Sequence, residues 1–324
     1  MLIQLIPESV LSLDFGGTQI RTAVAYSDGS IRGRRASRTP RLADDIVDRA
    51  VAQLRDSLAE AAPERSEPHD IAISAPGPLD PWRGIILTPP NLDPTLWNFP
   101  FATRIGRALG MPAVMERDTQ VAVLVEGQFG AAQGERDYVY MTVSTGVGAG
   151  VVSDGRLLRG SQGMAGELGH LTVDMNGPPC GCGMPGHLES YSSGTGIAHR
   201  AAEAGLVTAD GRAAEARDVA ALEEAGNETA RHIMADARRA FAVSIVSIVD
   251  VFNPRVIVVG GGIALGQGDR LLEPAREALR QSGYSHQATN VRLVPAGLGD
   301  DVGLVGGLSL VALAHLGDHY RDTS

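Results

Sequence analysis

The residues best equipped for chemistry are concentrated between positions 142 and 189. Ser144-Thr145-Gly146-Val147-Gly148-Ala149-Gly150 offers small residues whose backbone N–H groups can crowd round an oxyanion, which larger side chains would block. That is the composition of a phosphate loop. Glu167 and His170 follow three residues apart, and Cys180, Cys182 and His187 then stand in a Gly/Pro-rich loop that ends at Glu189. Thiols and imidazoles at that spacing are metal-ligand types. Glu167 and Glu189 add two carboxylates beside them.

Three further stretches carry candidate groups. In Asp14-Phe15-Gly16-Gly17-Thr18 a Gly-Gly turn would present N–H groups and a hydroxyl to phosphate, with the Asp14 carboxylate at the strand end suited to a hydrated magnesium ion. The same residues also make a plain hairpin turn. Asp118 stands at a strand exit, where it either caps the next helix or serves as a base. Gly260-Gly261-Gly262 ends an apolar strand, and in an open α/β sheet the carboxyl end of a strand is where ligands sit.

The elements that must position these groups follow from apolar spacing. Residues 10–26 read as two strands around Gly16-Gly17, and Asp28-Gly29 turns toward a third. Ile46, Ala50, Val51, Leu54 and Leu58 predict a helix within 42–61, and 71–74 returns to strand. The Pro-rich loop 79–100, with Trp82, Asn91 and Trp97, is long for a connector and therefore reads as functional. A helix over 102–109, a strand over 112–115 and a helix from near Val121 come next. Residues 138–143 and 151–158 then repeat the layout of strand, Gly turn, strand. This weak internal repeat points to two similar domains, each lending one hairpin to a shared phosphate site. A helical run from Ala230 to Phe252 stops at Asn253-Pro254, and 256–259 reads as a buried strand. Asp300 or Asp301 caps a last helix, from Val302 to about Leu316, expected to pack back on the first domain.

Composition narrows the classes. A chain of 324 residues passes the point, roughly 250–300 residues, at which single cores stop growing, so two domains are expected. With 38 acidic against 28 basic residues and a net charge of −10, it lacks the clustered basic surface that nucleic acid requires. The N-terminus has no basic region, and its apolar stretch is broken by Gln4, Pro7 and Glu8, which argues against a signal peptide. No run approaches the roughly 18 apolar residues of a membrane span. Cys180 and Cys182, one residue apart, would close almost no loop as a disulfide. The pair suits a reducing compartment and a metal better. The expectation is a cytoplasmic protein with neither nucleic acid nor membrane as partner.

In combination these motifs resemble the ROK family of sugar kinases, repressors and open reading frames, over nearly the whole chain. Asp14 to Thr18 is similar to its first phosphate motif, Ser144 to Gly150 to its second, and Gly260 to Gly262 to its adenosine-side glycines. Cys180-Gly181-Cys182-Gly183-Met184-Pro185-Gly186-His187-Leu188-Glu189 resembles its zinc loop. The resemblance implies an α/β fold of two actin-like (ribonuclease H-like) domains flanking a central cleft. The small N-terminal α/β domain would span 1–118, completed by a C-terminal helix at 302–324. The large α/β domain, with the zinc loop, would span 119–301.

The same resemblance implies an ATP-dependent hexose kinase acting on glucose at its 6-hydroxyl. The alternatives are another hexose or N-acetylhexosamine as substrate, or a non-catalytic sugar-responsive regulator. Family repressors carry an N-terminal helix-turn-helix domain, and a first phosphate strand beginning near residue 10 leaves no room for one. Asp118 would be the catalytic base, and Asn91, Glu167, His170 and Glu189, with Asp118, would bind the sugar. Asp14, Gly16, Gly17, Thr18, Ser144, Thr145, Gly146, Gly260, Gly261 and Gly262 would hold ATP and Mg2+. A structural Zn2+ would be held by His170, Cys180, Cys182 and His187, and the chain would assemble as a homodimer or homotetramer.

Two departures from the family pattern stand out. His187 occupies a place usually taken by Cys, a mild change, since imidazole and thiolate both bind zinc. Arg117 precedes Asp118 where the kinases generally have Asn, so a group that only donates replaces one that hydrogen-bonds both ways. Three roles are open to it: contact with a sugar oxygen, an ion pair with Glu116 or another carboxylate, or recognition of an anionic substrate group.

Overall fold

The computed structural model describes residues 6–61, 66–89, 92–282 and 290–317. The chain divides into two compact units. The first comprises Met1–Gly134, Leu157–Ala165 and Leu298–Ser324, and the second Glu135–Arg156 and Gly166–Gly297.

The first unit begins with strands β1 (Ser9–Phe15), β2 (Gln19–Tyr26) and β3 (Ile31–Arg38), then helix α1 (Ala43–Ala61) and β4 (Ile71–Ala75). A short hairpin of β5 (Leu79–Asp80) and β6 (Ile85–Ile86) lies within the long Pro-rich segment. Helix α2 (Phe101–Leu109), β7 (Ala113–Arg117) and α3 (Asp118–Gln128) follow. The sheet runs β3-β2-β1-β4-β7, antiparallel through the first two pairings and parallel through the last two. Strand alternation sorts its residues between two cores. Leu11, Leu13, Phe15, Ile71 and Ile73 pack with α1 and α2, whereas Val10 and Ala72 pack with α3 and the C-terminal helix.

The second unit contains β8 (Tyr138–Val143), β9 (Val147–Ser153), the first residue of β10 (Arg156–Leu157), α4 (Leu188–Ser192), α5 (Gly194–Glu203), α6 (Ala216–Glu224) and α7 (Glu228–Phe252). After these come β11 (Val256–Gly260), α8 (Gly262–Gln267), α9 (Asp269–Gln281) and β12 (Arg292–Pro295). Its strand order, β10-β9-β8-β11-β12, repeats that of the first unit: an antiparallel hairpin, then parallel pairings β8/β11 and β11/β12. The internal repeat read from the two Gly hairpins is therefore a repeat of whole sheets.

Helix α7 explains how the second unit holds together. Asn227 caps its start by accepting the Ala230 N–H, and Asn253, at φ 45°, ends it just before Pro254. Its second half puts Phe241, Ile245, Ile248 and Val249 against the sheet and α9, while Ala230, Ile233, Met234 and Ala237 pack with α5 and α6. Each large apolar side chain so buried contributes roughly 1.5–3 kcal/mol.

The chain ends, among the described residues, with helix α10 (Val302–His315), which lies in the first unit. Residues 318–324 of the expected C-terminal helix lie outside the described residues. Glycine lets α10 sit directly on β1 and β4: a Cβ at Gly307 would come within 2.3 Å of Ser12 Oγ and 2.9 Å of Ala72 Cβ. No described helix is long and apolar enough to cross a membrane.

Candidate active site

In the first unit the carboxyl ends of three adjacent parallel strands bring candidate groups to one edge of the sheet. Asp14 on β1 is in register with Ser74 on β4, and Ser74 with Glu116 on β7. Asp118, two residues beyond Glu116, therefore leaves the same edge as Asp14. The hairpin turn after β1 is closed by the Gly16 N–H donating to Gln19 O at 2.9 Å, and Thr39 Oγ1 donates to Gly16 O at 2.6 Å. Gly17 and Thr18 are exposed at its tip, as a phosphate-facing turn requires.

The Asp14 carboxylate is nearly buried and paired with Arg21 across the hairpin. Burial pushes its pKa above the usual carboxylate range, against the opposing pull of Arg21. A hard oxygen donor shared in this way fits a magnesium ion held through its own waters, the form this ion prefers.

Asp118 is the first residue of α3, which thus begins three residues before the expected start near Val121. Its neighbours Glu116, Arg117, Thr119 and Gln120 are buried, and Asp118 alone of the five is exposed. Its Oδ1 accepts the Thr119 N–H at 2.7 Å. The N-cap position belongs to Arg117, whose side chain makes no cap bond. A solvent-facing carboxylate on a buried base has the accessibility a proton acceptor needs.

The adjacency of Arg117 and Glu116 suggested an ion pair, and the Arg117 charge does pull the Glu116 pKa down, but the close partner of the carboxylate is another arginine. Glu116, fully buried, is paired instead with Arg159, which donates through Nε at 2.8 Å. Burial raises the Glu116 pKa, and Arg159 opposes that shift. The Arg117 guanidinium, itself only 4% exposed, donates to the Ala165 carbonyl, which also accepts from Gln120 Nε2 at 3.0 Å. We therefore expect Arg117→Asn to leave the ranking of sugars by kcat/KM unchanged while lowering thermal stability by about 1.5–3 kcal/mol, the size of a lost charged hydrogen bond. Calorimetric melting beside kinetics on several sugars checks this, and a reordered ranking at unchanged stability would reverse the assignment.

In the second unit, β8 ends at the Ser144–Gly146 turn and β11 ends at Gly260, with Gly260 in register with Thr142. The phosphate loop and the triple glycine thus share one sheet edge. Gly261, at φ 92°, lets the chain reverse from β11 into α8. Beside them opens a cavity of about 790 Å³, with Ser144, Thr145, Gly194, Thr195, Arg212 and Gly262 in its wall. That volume is ample for a nucleoside. Its far wall was not anticipated from the sequence, because Gly194 and Thr195 belong to no recognisable motif. They reach the loop through backbone bonds: Gly194 N–H to Ser144 O at 2.7 Å and Thr195 N–H to Thr145 O at 3.1 Å.

The metal-ligand candidates also converge. One ligand atom from each of His170, Cys180, Cys182 and His187 lies within 4.8 Å of all the others. Cys182 Sγ is 3.2 Å from His187 Nδ1, and Cys180 Sγ is 3.7 Å from His170 Nδ1. Tetrahedral zinc with bonds of about 2.0–2.3 Å sets ligand atoms about 3.3–3.8 Å apart, so these two pairs stand near the spacing that zinc requires, and the four residues could hold it. Glu189 borders it, with Oε1 3.9 Å from Cys180 Sγ, and its Oε2 accepts the Val147 N–H of the phosphate loop at 2.9 Å. The loop approaches so closely that a Cβ at Gly146 would lie 2.7 Å from that oxygen.

His170 closes a short 3-10 turn, Leu168–His170, that Glu167 precedes with its side chain exposed. Glu167, His170 and Glu189 thus lie in the second unit, Asp118 in the first, and Asn91 outside the described residues.

Comparison with known proteins gives consistent likenesses. The family model described as "ROK family" matches residues 10–314. An N-acetylmannosamine kinase of Citrobacter koseri is 36% identical over 303 residues, covering 92% of this chain and 97% of the relative. The crystal structure of a ROK hexokinase from Thermus thermophilus superposes with a TM-score of 0.82 at 35% identity, over 96% of this chain and 99% of that one. A ROK family glucokinase from Streptomyces griseus, in complex with glucose and AMPPNP, gives 0.75 at 29% identity, over 93% and 98%.

Proposed function

The chain belongs to the ROK family, and from that premise we propose that it is an ATP-dependent kinase transferring the γ-phosphoryl group to the 6-hydroxyl of a hexose or N-acetylhexosamine. The observation that carries this reading is the exposed Asp118 carboxylate on its buried base, at the same sheet edge as Asp14. Glucose and N-acetylmannosamine, the sugars named for the relatives, are the first to test.

Phosphoryl transfer asks for position and charge stabilisation more than covalent chemistry. In the proposed step the sugar O6 forms a bond to the γ-phosphorus, the bond from phosphorus to the β–γ bridging oxygen breaks, the O6 proton passes to Asp118, and ADP departs. The N–H groups of the Gly16–Thr18 and Ser144–Gly146 turns bind phosphate oxygens, and the cavity beside Gly262 takes the nucleoside. Magnesium, when bound with ATP near Asp14, neutralises phosphate charge. Glu167, His170 and Glu189 bind ring hydroxyls, and zinc on His170, Cys180, Cys182 and His187 fixes the loop that presents them. The resemblance adds Asn91 to the sugar contacts.

The test is a coupled ADP-release screen over glucose, mannose, N-acetylmannosamine and N-acetylglucosamine. At least one sugar is expected to raise ADP release about 100-fold or more over the sugar-free rate, the scale of a single general-base contribution. Sugar binding by calorimetry without sugar-dependent ADP release would overturn the kinase reading in favour of a sugar-responsive regulator.

A further inference from the structure

The segment Leu157–Ala165 belongs to the first unit although the residues on both sides of it belong to the second. Within it, the Ala165 N–H donates back to Arg159 O at 2.9 Å, so 159–165 closes into a compact loop. That loop is fastened at both ends to the turn that carries Asp118. At one end the Arg159 guanidinium meets the Glu116 carboxylate, with only 8% and 0% of the two side chains exposed. At the other, the Ala165 carbonyl accepts from Arg117 and Gln120. Glu116 also passes the constraint along the main chain, since its Oε1 accepts the Arg117 N–H at 3.1 Å.

Residues 116, 117 and 120 are thus held, and Asp118 stands between them. A fully buried ion pair is an expensive way to stabilise a fold, because desolvation offsets most of the attraction and an apolar pair often does as well. What it supplies is a fixed geometry, with hydrogen bonds in set directions.

We propose that Arg159, through Glu116, is a positioning residue for the phosphoryl transfer: the clip 159–165 sets where the Asp118 carboxylate stands. The proposal rests on Asp118 being the base. Reacting groups displaced by about 1 Å lose up to about 100-fold in rate, so a loosened clip lowers kcat without removing any group that touches substrate.

The decisive variant is the double substitution Glu116→Gln with Arg159→Gln, which removes both charges of the pair together and puts two amides in their place. Measured beside it are Arg159→Lys, which keeps the charge, and Asp118→Asn. For the double variant we expect kcat per calorimetrically titrated sugar site to fall about tenfold or more, with sugar affinity and the KM for ATP within about threefold. Arg159→Lys should recover at least part of the loss. A double variant with kcat per titrated site within about twofold of wild type, while Asp118→Asn is inactive, overturns the clip and leaves the base intact. Failure of Asp118→Asn to lose activity overturns both. A loss that follows only the fraction of folded protein, with no change per titrated site, reduces Arg159 to a structural residue and overturns the proposal.

Discussion

Asp118→Asn is expected to abolish phosphoryl transfer while sparing sugar binding. The amide keeps the shape of the carboxylate, and its oxygen can accept the Thr119 N–H that Asp118 Oδ1 now accepts at 2.7 Å, so α3 begins as before. Because the side chain is exposed, the substitution opens no cavity. What disappears is the ability to take a proton from the attacking hydroxyl. A positioned base contributes about 100- to 10,000-fold, so kcat should fall at least about 100-fold while the calorimetric sugar affinity stays within a few-fold. A variant that keeps more than about a tenth of the wild-type kcat would return Asp118 to the role of a helix-start residue. The separation of binding from turnover matters as much as the loss itself. A parallel fall in both would mean that the carboxylate holds the sugar without activating it.

The architecture was open to sequence reasoning where polarity and burial agree. The long helix α7 keeps its apolar residues on two packed faces and ends at Asn253-Pro254, so its pattern and its stop signal both survive folding. The start of α3 was hidden because Thr119 and Gln120 are polar yet buried, which breaks the match between apolar spacing and the packed face. Helix α9 buries Leu271, Leu272, Ala275 and Leu279, but Pro274 inside it reads as an interruption.

The site divides in the same way. The convergence of His170, Cys180, Cys182 and His187 could be anticipated because a chain with only two cysteines, one residue apart in a Gly/Pro-rich loop, leaves few other uses for them. The pairing of Glu116 with Arg159 could not. It joins residues 43 apart in sequence, and the adjacent Arg117 offered a simpler partner. The cavity wall at Gly194 and Thr195 escaped for a related reason: it is joined to the loop by two backbone bonds and by one from the Thr195 hydroxyl to the Thr145 carbonyl, contacts that leave no motif in the sequence.

Zinc removal is the other large effect expected. From Leu171 to His187 only Cys180, Gly186 and His187 are buried, while Met175 and Met184 are 81% and 60% exposed. Apart from Leu171 and Val173, which pack against the core of the second unit, the loop has little apolar burial, so on the proposed reading metal bonds would supply ordering that burial does not. We expect one zinc per chain by elemental analysis, released only by harsh chelation. Loss of the ion should also reach the chemistry, because His187 is the N-cap of α4 and Glu189 lies in its first turn. A loosened loop therefore frees His170 and at the same time withdraws the Glu189 carboxylate from the Val147 N–H on the phosphate turn. Cys180→Ala should give zinc-free protein with both cores intact, since those cores are built from other residues. Its sugar affinity should fall about 10- to 100-fold, the range seen when the groups that orient a site are lost. Far-ultraviolet circular dichroism separates this from global unfolding: helix content should hold while calorimetric sugar binding weakens. Metal-free protein that phosphorylates sugar at the full rate would show that the four ligand atoms stand together without the loop depending on them.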